Sequence, residues 1–123
     1  MSFDWRELLS LAKVLLDQRG SLPSEEAAIR SVVSRAYFAA FCYASQIAGV
    51  RYGFAPTRTA EDHGRLKSHF RGKGMFGIVS KLDDLRKWRN LCDYDDITTV
   101  TVLLATNAIS RAEHIIKTLT PKE

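Results

Sequence analysis

Nine consecutive residues, Ala36-Tyr37-Phe38-Ala39-Ala40-Phe41-Cys42-Tyr43-Ala44, carry no charge and leave almost no polar face on a helix drawn through them. They lie inside a segment, residues 24–48, that reads as one long helix with Gly49 as its stop. A helix that is apolar all round is buried all round. A chain of 123 residues has little material with which to wrap such a helix. The stretch therefore predicts a central helix in an all-helical fold, with a second copy of the chain covering part of it in a homodimer.

The rest of the chain supplies helices to surround it. Residues 4–18 carry Trp5, Leu8, Leu9, Ala12, Leu15 and Leu16 on one stripe, and Asp4 with Glu7 three positions on suggests a capping box. Residues 50–60 read as a loop. Thr59 is the expected cap of a short third helix through residue 70, with Asp62 in its first turn. Arg71-Gly72-Lys73-Gly74 interrupts the pattern, and a fourth helix is expected over residues 75–92. The last helix is expected over residues 98–119, with Ala105, Ile109, Ala112, Ile116 and Leu119 on one side. Its β-branched opening, Thr98-Thr99-Val100-Thr101-Val102, has no second strand to pair with and is kept helical. The expected fold class is all-α: an up-and-down bundle of about five helices in one domain, 1–123, closed by a two-fold into a dimer.

Several function classes drop out early. No run approaches the roughly 20 apolar residues of a membrane span, so no membrane partner is expected. Met1-Ser2-Phe3-Asp4 lacks the basic and apolar regions of a signal peptide. Cys42 and Cys92 both fall in apolar helical patterns and read as reduced, buried thiols, which suits a cytoplasmic location. His63, His69 and His114 are not spaced as metal ligands and there is no C-x-x-C, so neither a metal nor a cofactor is expected. The G-x-S-x-G and phosphate-loop spacings are missing, and no recognition helix follows the Gly72/Gly74 break.

Charge is distributed unevenly. Residues 51–90 hold ten Lys/Arg against four Asp/Glu, whereas the remainder is slightly acidic. Such asymmetry fits a phosphate-binding surface, with Arg58, Arg65, Lys67 and Arg86 as its candidate RNA- or phosphate-binding residues. Within the fourth helix, Ile78, Leu82, Leu85 and Cys92 form one narrow apolar stripe, and Arg89 sits near its centre. An Arg on a core-facing stripe needs an anionic or carbonyl partner. Asp93, four residues on, can supply one as a structural ion pair; the other reading is an Arg presented to phosphate.

Three segments, Arg89-Asn90-Leu91-Cys92-Asp93-Tyr94, Ala28 to Phe41, and His63-Gly64 with Phe70, together resemble the HEPN domain family. Arg89-Asn90-Leu91-Cys92-Asp93-Tyr94 at the end of an apolar helix is similar to the family's signature segment, in the branch with an R-N-x-x-D-Y ending. Ala28 to Phe41 resembles its long second helix, and His63-Gly64 followed by Phe70 resembles its middle segment. The resemblance implies a small helical RNA-directed module, either a metal-independent endoribonuclease of toxin–antitoxin or RNA-processing type or a non-cleaving RNA binder. It also implies a composite site where two signature segments meet across a dimer axis. Arg89 would bind the phosphate, Asn90 would orient it, and Asp93 would tether Arg89. Tyr94 stands where catalytic members carry His, leaving His63 as a reserve acid/base. The alternative is a non-catalytic docking subunit for a partner such as a nucleotidyltransferase or an antitoxin.

Overall fold

The computed structural model describes residues 2–122. Among them lie five α-helices, one 3-10 turn and no strand. The helices are α1 (Glu7–Asp17), α2 (Glu25–Tyr52), α3 (Asp62–Gly72), α4 (Phe76–Tyr94) and α5 (Val102–Leu119), with the 3-10 turn Arg19–Ser21 joining α1 to α2. The fold is an all-α bundle, and none of its helices is long and apolar enough to cross a membrane.

α2 is the axis on which α1, α4 and α5 pack; α3 rests chiefly on α4. It begins where the Ser24 side chain accepts the Ala27 N–H at 3.1 Å, with Glu25 and Glu26 placed to favour the positive end of the helix. Ala36, Ala39, Ala40, Ala44 and Ala48 are fully buried on it, as are Ala105, Ala108 and Ala112 on α5. Side chains this small let helix axes approach closely, so the chain covers most of its own central helix. Of the nine residues Ala36 to Ala44, only Phe38, Phe41 and Cys42 stay half-buried. Cys42 is thus less enclosed than its pattern suggested, whereas Cys92 is buried, and both thiols are free. Burial pushes each thiol up to about 11, so both are protonated near neutral pH.

Four boundaries differ from the sequence reading, each for a local reason. α2 does not stop at Gly49 but continues to Tyr52. The residue that ends it is Gly53, in the left-handed region at φ 71°, after which the Phe54 N–H returns to the Ala48 carbonyl at 3.1 Å. Gly49 serves instead to admit that returning chain: a Cβ on it would lie 3.1 Å from the Phe54 carbonyl oxygen. At the start of α1, Asp4 forms no capping box; its carboxylate takes the Arg6 N–H and guanidinium, and the helix begins at Glu7. α3 starts at Asp62, with Glu61 and not Thr59 in the cap position, and Asp62 reaches back into the preceding loop. α5 begins at Val102, because Asp95 turns residues 95–98 by accepting the N–H groups of Ile97 and Thr98, and Thr101 caps the helix through the Leu104 N–H.

Candidate functional site

The apolar stripe of α4 faces the core as its spacing requires: Ile78, Leu82, Leu85 and Cys92 are all buried. Arg89 follows on the same face, and its guanidinium lies over the rings of Phe38 at 5.0 Å, Tyr94 at 5.3 Å and Tyr37 at 5.8 Å. The aromatic seat holds the charge by cation–π attraction while keeping it at the surface; the side chain is 22 % exposed. Its Nε donates to Asp93 Oδ2 at 2.8 Å, Nη1 to Asn90 Oδ1 at 3.3 Å and Nη2 to the Tyr94 hydroxyl at 3.3 Å. Ser34 on α2 donates to the same Asp93 oxygen at 3.3 Å. The four signature residues are therefore one cluster with Arg89 at its hub. A guanidinium has five N–H groups. Three are engaged here, and both Nη atoms keep one free.

A second arginine builds this end of α4, and nothing in the sequence pattern singled it out. Arg30 on α2 donates through Nη1 to the carbonyls of Leu91 (3.3 Å), Cys92 (3.0 Å) and Asp95, the last at 2.6 Å, and through Nη2 to Thr98 at 3.0 Å. The last carbonyls of a helix have no partner inside it and carry its negative end. Arg30 takes two of them, Leu91 and Cys92, and with the Asp95 and Thr98 carbonyls beyond the helix pins residues 91–98, the segment that bears Asp93 and Tyr94, to α2.

The remaining candidate residues divide into two groups. Arg65 pairs with Asp62 at 3.0 Å and Lys67 with Asp83 at 2.7 Å, so their charges are compensated within the fold. Arg58 and Arg86 have no ion-pair partner among the described residues. Arg86 lies one turn before Arg89 and, with Arg65 and His69, edges a shallow depression of about 840 Å³. Among the described residues no group of three His, Cys, Asp or Glu side chains is placed to hold a metal ion.

His63 is sealed inside, at 4 % exposure, and not presented to the Arg89 cluster. Its Nδ1 lies 3.0 Å from the Tyr37 hydroxyl, and its Nε2 faces Asp83 Oδ1 at 3.6 Å, beyond hydrogen-bond range. Burial pushes the Tyr37 phenol up to about 12, so it is a donor. With Nδ1 accepting from Tyr37, the ring proton sits on Nε2 and points to the carboxylate, the favourable sense. Burial, and then the positive field of Arg86, hold His63 below the ordinary histidine value. His69 is shifted the same way, first by burial and then by Lys73.

The consequence for pH has a definite sign. Below about 6.5 the unfolded chain takes up protons that folded His63 and His69 refuse, so stability falls with pH from there down to the folded values and is insensitive to these groups above. Thermal melts between pH 7.5 and 5.5 are expected to show a falling midpoint. A His63→Gln/His69→Gln double variant is expected to flatten that slope; an unchanged slope in the variant excludes the two imidazoles as its source.

No family model, curated protein or solved structure matches this chain.

Proposed function

We propose that this chain is a HEPN-type RNA-directed module that binds an RNA phosphate at Arg89. The observation that carries the reading is the guanidinium itself. It is seated on three aromatic rings and oriented by Asp93, Asn90 and Tyr94, with an N–H left on each Nη atom. A rigid, partly desolvated guanidinium with two donors to spare suits bidentate capture of phosphate. Arg86, one turn before Arg89 on α4 and without an ion-pair partner among the described residues, adds positive charge beside it. A second copy packed over half-buried Phe38 would bring two such clusters together, as the family resemblance implies. Cleavage needs a group able to accept the 2′-hydroxyl proton. With His63 sealed and a phenol, Tyr94, standing where a histidine would serve, the cluster favours binding over turnover.

The docking reading has its own support. Tyr94, Ile97 and Leu103 are 72 %, 90 % and 68 % exposed around the end of α4 and the start of α5. Large apolar side chains at such exposure suit a protein partner such as a nucleotidyltransferase or an antitoxin.

Fluorescence anisotropy with short single-stranded RNA separates the two. The RNA reading expects binding whose affinity falls with salt, by about −0.7 in log–log slope for each phosphate contacted. Light scattering on the same sample is expected to give about 28 kDa, twice the 13.9 kDa chain. Tyr94→His is expected to gain metal-independent cleavage if the seat is otherwise competent. No binding at low salt leaves the docking reading standing.

A further inference from the structure

A cleft of about 680 Å³ opens along the C-terminal half of α2, between that half, the N-terminal segment and the loop before α3. Its apolar walls are aromatic. Phe3 and Trp5 meet edge to face at 5.0 Å, and Phe41 and Phe54 stand on the other sides. Phe3 lines the cleft while 47 % exposed, so part of its ring is accessible. Of the polar side chains that line it, those of Ser2, Ser45, Gln46 and Arg58 have no hydrogen-bond or ion-pair partner among the described residues, and the Gln46 amide and the Arg58 guanidinium offer the most hydrogen-bonding groups.

Arg58 is held there by its backbone. It is the one non-glycine residue among those described with a positive φ, at 62°. A side chain in this region is strained, and the strain is stabilised by Asp62. The Asp62 carboxylate accepts the Arg58 N–H at 2.8 Å, the Thr57 N–H at 2.9 Å, the Thr57 hydroxyl at 2.6 Å and Arg65 at 3.0 Å. Asp62 also borders the cleft, but these four donors saturate it, so its charge is compensated and the charge on offer to a ligand is that of Arg58.

The cleft is also joined to the Arg89 cluster. Phe41 lies near-parallel to Tyr37, 14° and 5.6 Å between rings, and Tyr37 lies 5.8 Å from the Arg89 guanidinium. One ring-to-ring step along α2 and one ring-to-guanidinium step across to α4 thus connect the aromatic walls to the proposed phosphate seat. Aromatic walls stack a planar heterocycle, an amide reads its edge with one donor and one acceptor, and an arginine at the mouth takes an adjacent anion.

We propose that this cleft receives one unstacked base of a single-stranded RNA whose nearby phosphate sits on Arg89, with Arg58 on the phosphate at the mouth. The inference rests on the RNA-directed reading and narrows it to unpaired strands. A base locked in a duplex cannot enter.

The chain holds two tryptophans, and only Trp5 lines the cleft. In a Trp88→Phe background Trp5 is the sole indole reporter. A single-stranded RNA pentamer is expected to quench it in step with anisotropy, and the same strand in a duplex to leave it unchanged. Phe3→Ala and Arg58→Asn are expected to weaken the pentamer about five- to a hundredfold, the range that base–aromatic stacking supplies. Asn tolerates the left-handed backbone, so Arg58→Asn removes the charge without adding strain. Circular dichroism melts confirm that each variant is folded. The cleft assignment is overturned if the pentamer binds and depends on Arg89 while Trp5 is silent and both variants bind as wild type; the RNA reading then survives. Quenching by free uridine monophosphate as strong as by the pentamer overturns the strand assignment in favour of a free nucleotide. No binding of any RNA overturns both.

Discussion

Arg89→Ala is expected to lower RNA affinity by about two orders of magnitude while costing the fold little. Truncating one side of a desolvated charge pair at an interface removes about 2–5 kcal/mol of binding. The cost within the fold is set by a different quantity. Arg89 and Asp93 are 22 % and 26 % exposed, so Asp93 left alone regains water, and the pair is worth nearer the surface value of about 1 kcal/mol than that of a sealed one. The two losses therefore differ in size, and anisotropy beside chemical denaturation separates them. Arg89→Lys is the sharper variant. It keeps the charge and loses the planar fork, so it is expected to bind poorly although folded. Asp93→Asn removes the anion that competes with phosphate for Arg89 but keeps an oxygen that accepts from its Nε, so the seat stays oriented and RNA binding at least as strong as wild type is expected. A denaturation midpoint that drops in Arg89→Lys with RNA affinity unmoved would show that the arginine serves the fold alone.

The largest loss of stability outside the apolar core is expected at Arg30. Four backbone carbonyls at and beyond the C-terminus of α4 accept from it, and its side chain is 18 % exposed. Hydrogen bonds to a charged group contribute about 1.5–3 kcal/mol each, and those sharing one donor do not add. Arg30→Ala is expected to cost about 2–4 kcal/mol, or roughly 10 °C in melting midpoint for a chain of this size. Arg30→Lys recovers a fraction, because an ammonium cannot span carbonyls from two sides. Hydrogen exchange locates the effect: amides over residues 91–101 are expected to lose protection first. Uniform loss across all five helices would argue for a different role. RNA binding is expected to weaken as well, since the freed segment carries two of the groups that orient Arg89.

These two arginines show where sequence reasoning reaches and where it stops. Arg89 was legible because its partners, Asn90, Asp93 and Tyr94, lie within five residues, and because a charge on an apolar stripe breaks a countable pattern. Arg30 was not, because its partners are carbonyl oxygens more than sixty residues away and every residue has a carbonyl. The helices themselves were readable from apolar spacing. Their ends were less so: Gly49 and Gly53 both resemble stops, and only backbone geometry tells the residue with positive φ from the one that admits a passing chain. The fully apolar centre of α2 suggested a missing partner. Alanine on both α2 and α5 covers most of that surface within one chain, and a composition-based reading of burial does not register how closely small residues let helices meet. The Tyr37–His63 contact joins residues far apart in sequence and left no local trace.

That last contact governs something apolar packing cannot. A greasy interface fixes which helices are neighbours but allows each to roll about its own axis, since one methyl group is much like another. α3 is eleven residues long and rests mainly on α4. Among the described residues, the bond from the Tyr37 hydroxyl to His63 is the single hydrogen bond tying α3 to α2, and the Lys67–Asp83 pair ties it to α4. Two directional ties to two different neighbours stop the roll. The helix is thereby indexed, like a key in a slot, with its angular setting fixed, and the face of the molecule on which Arg65 and His69 emerge is decided by a phenol and an imidazole that never reach the surface.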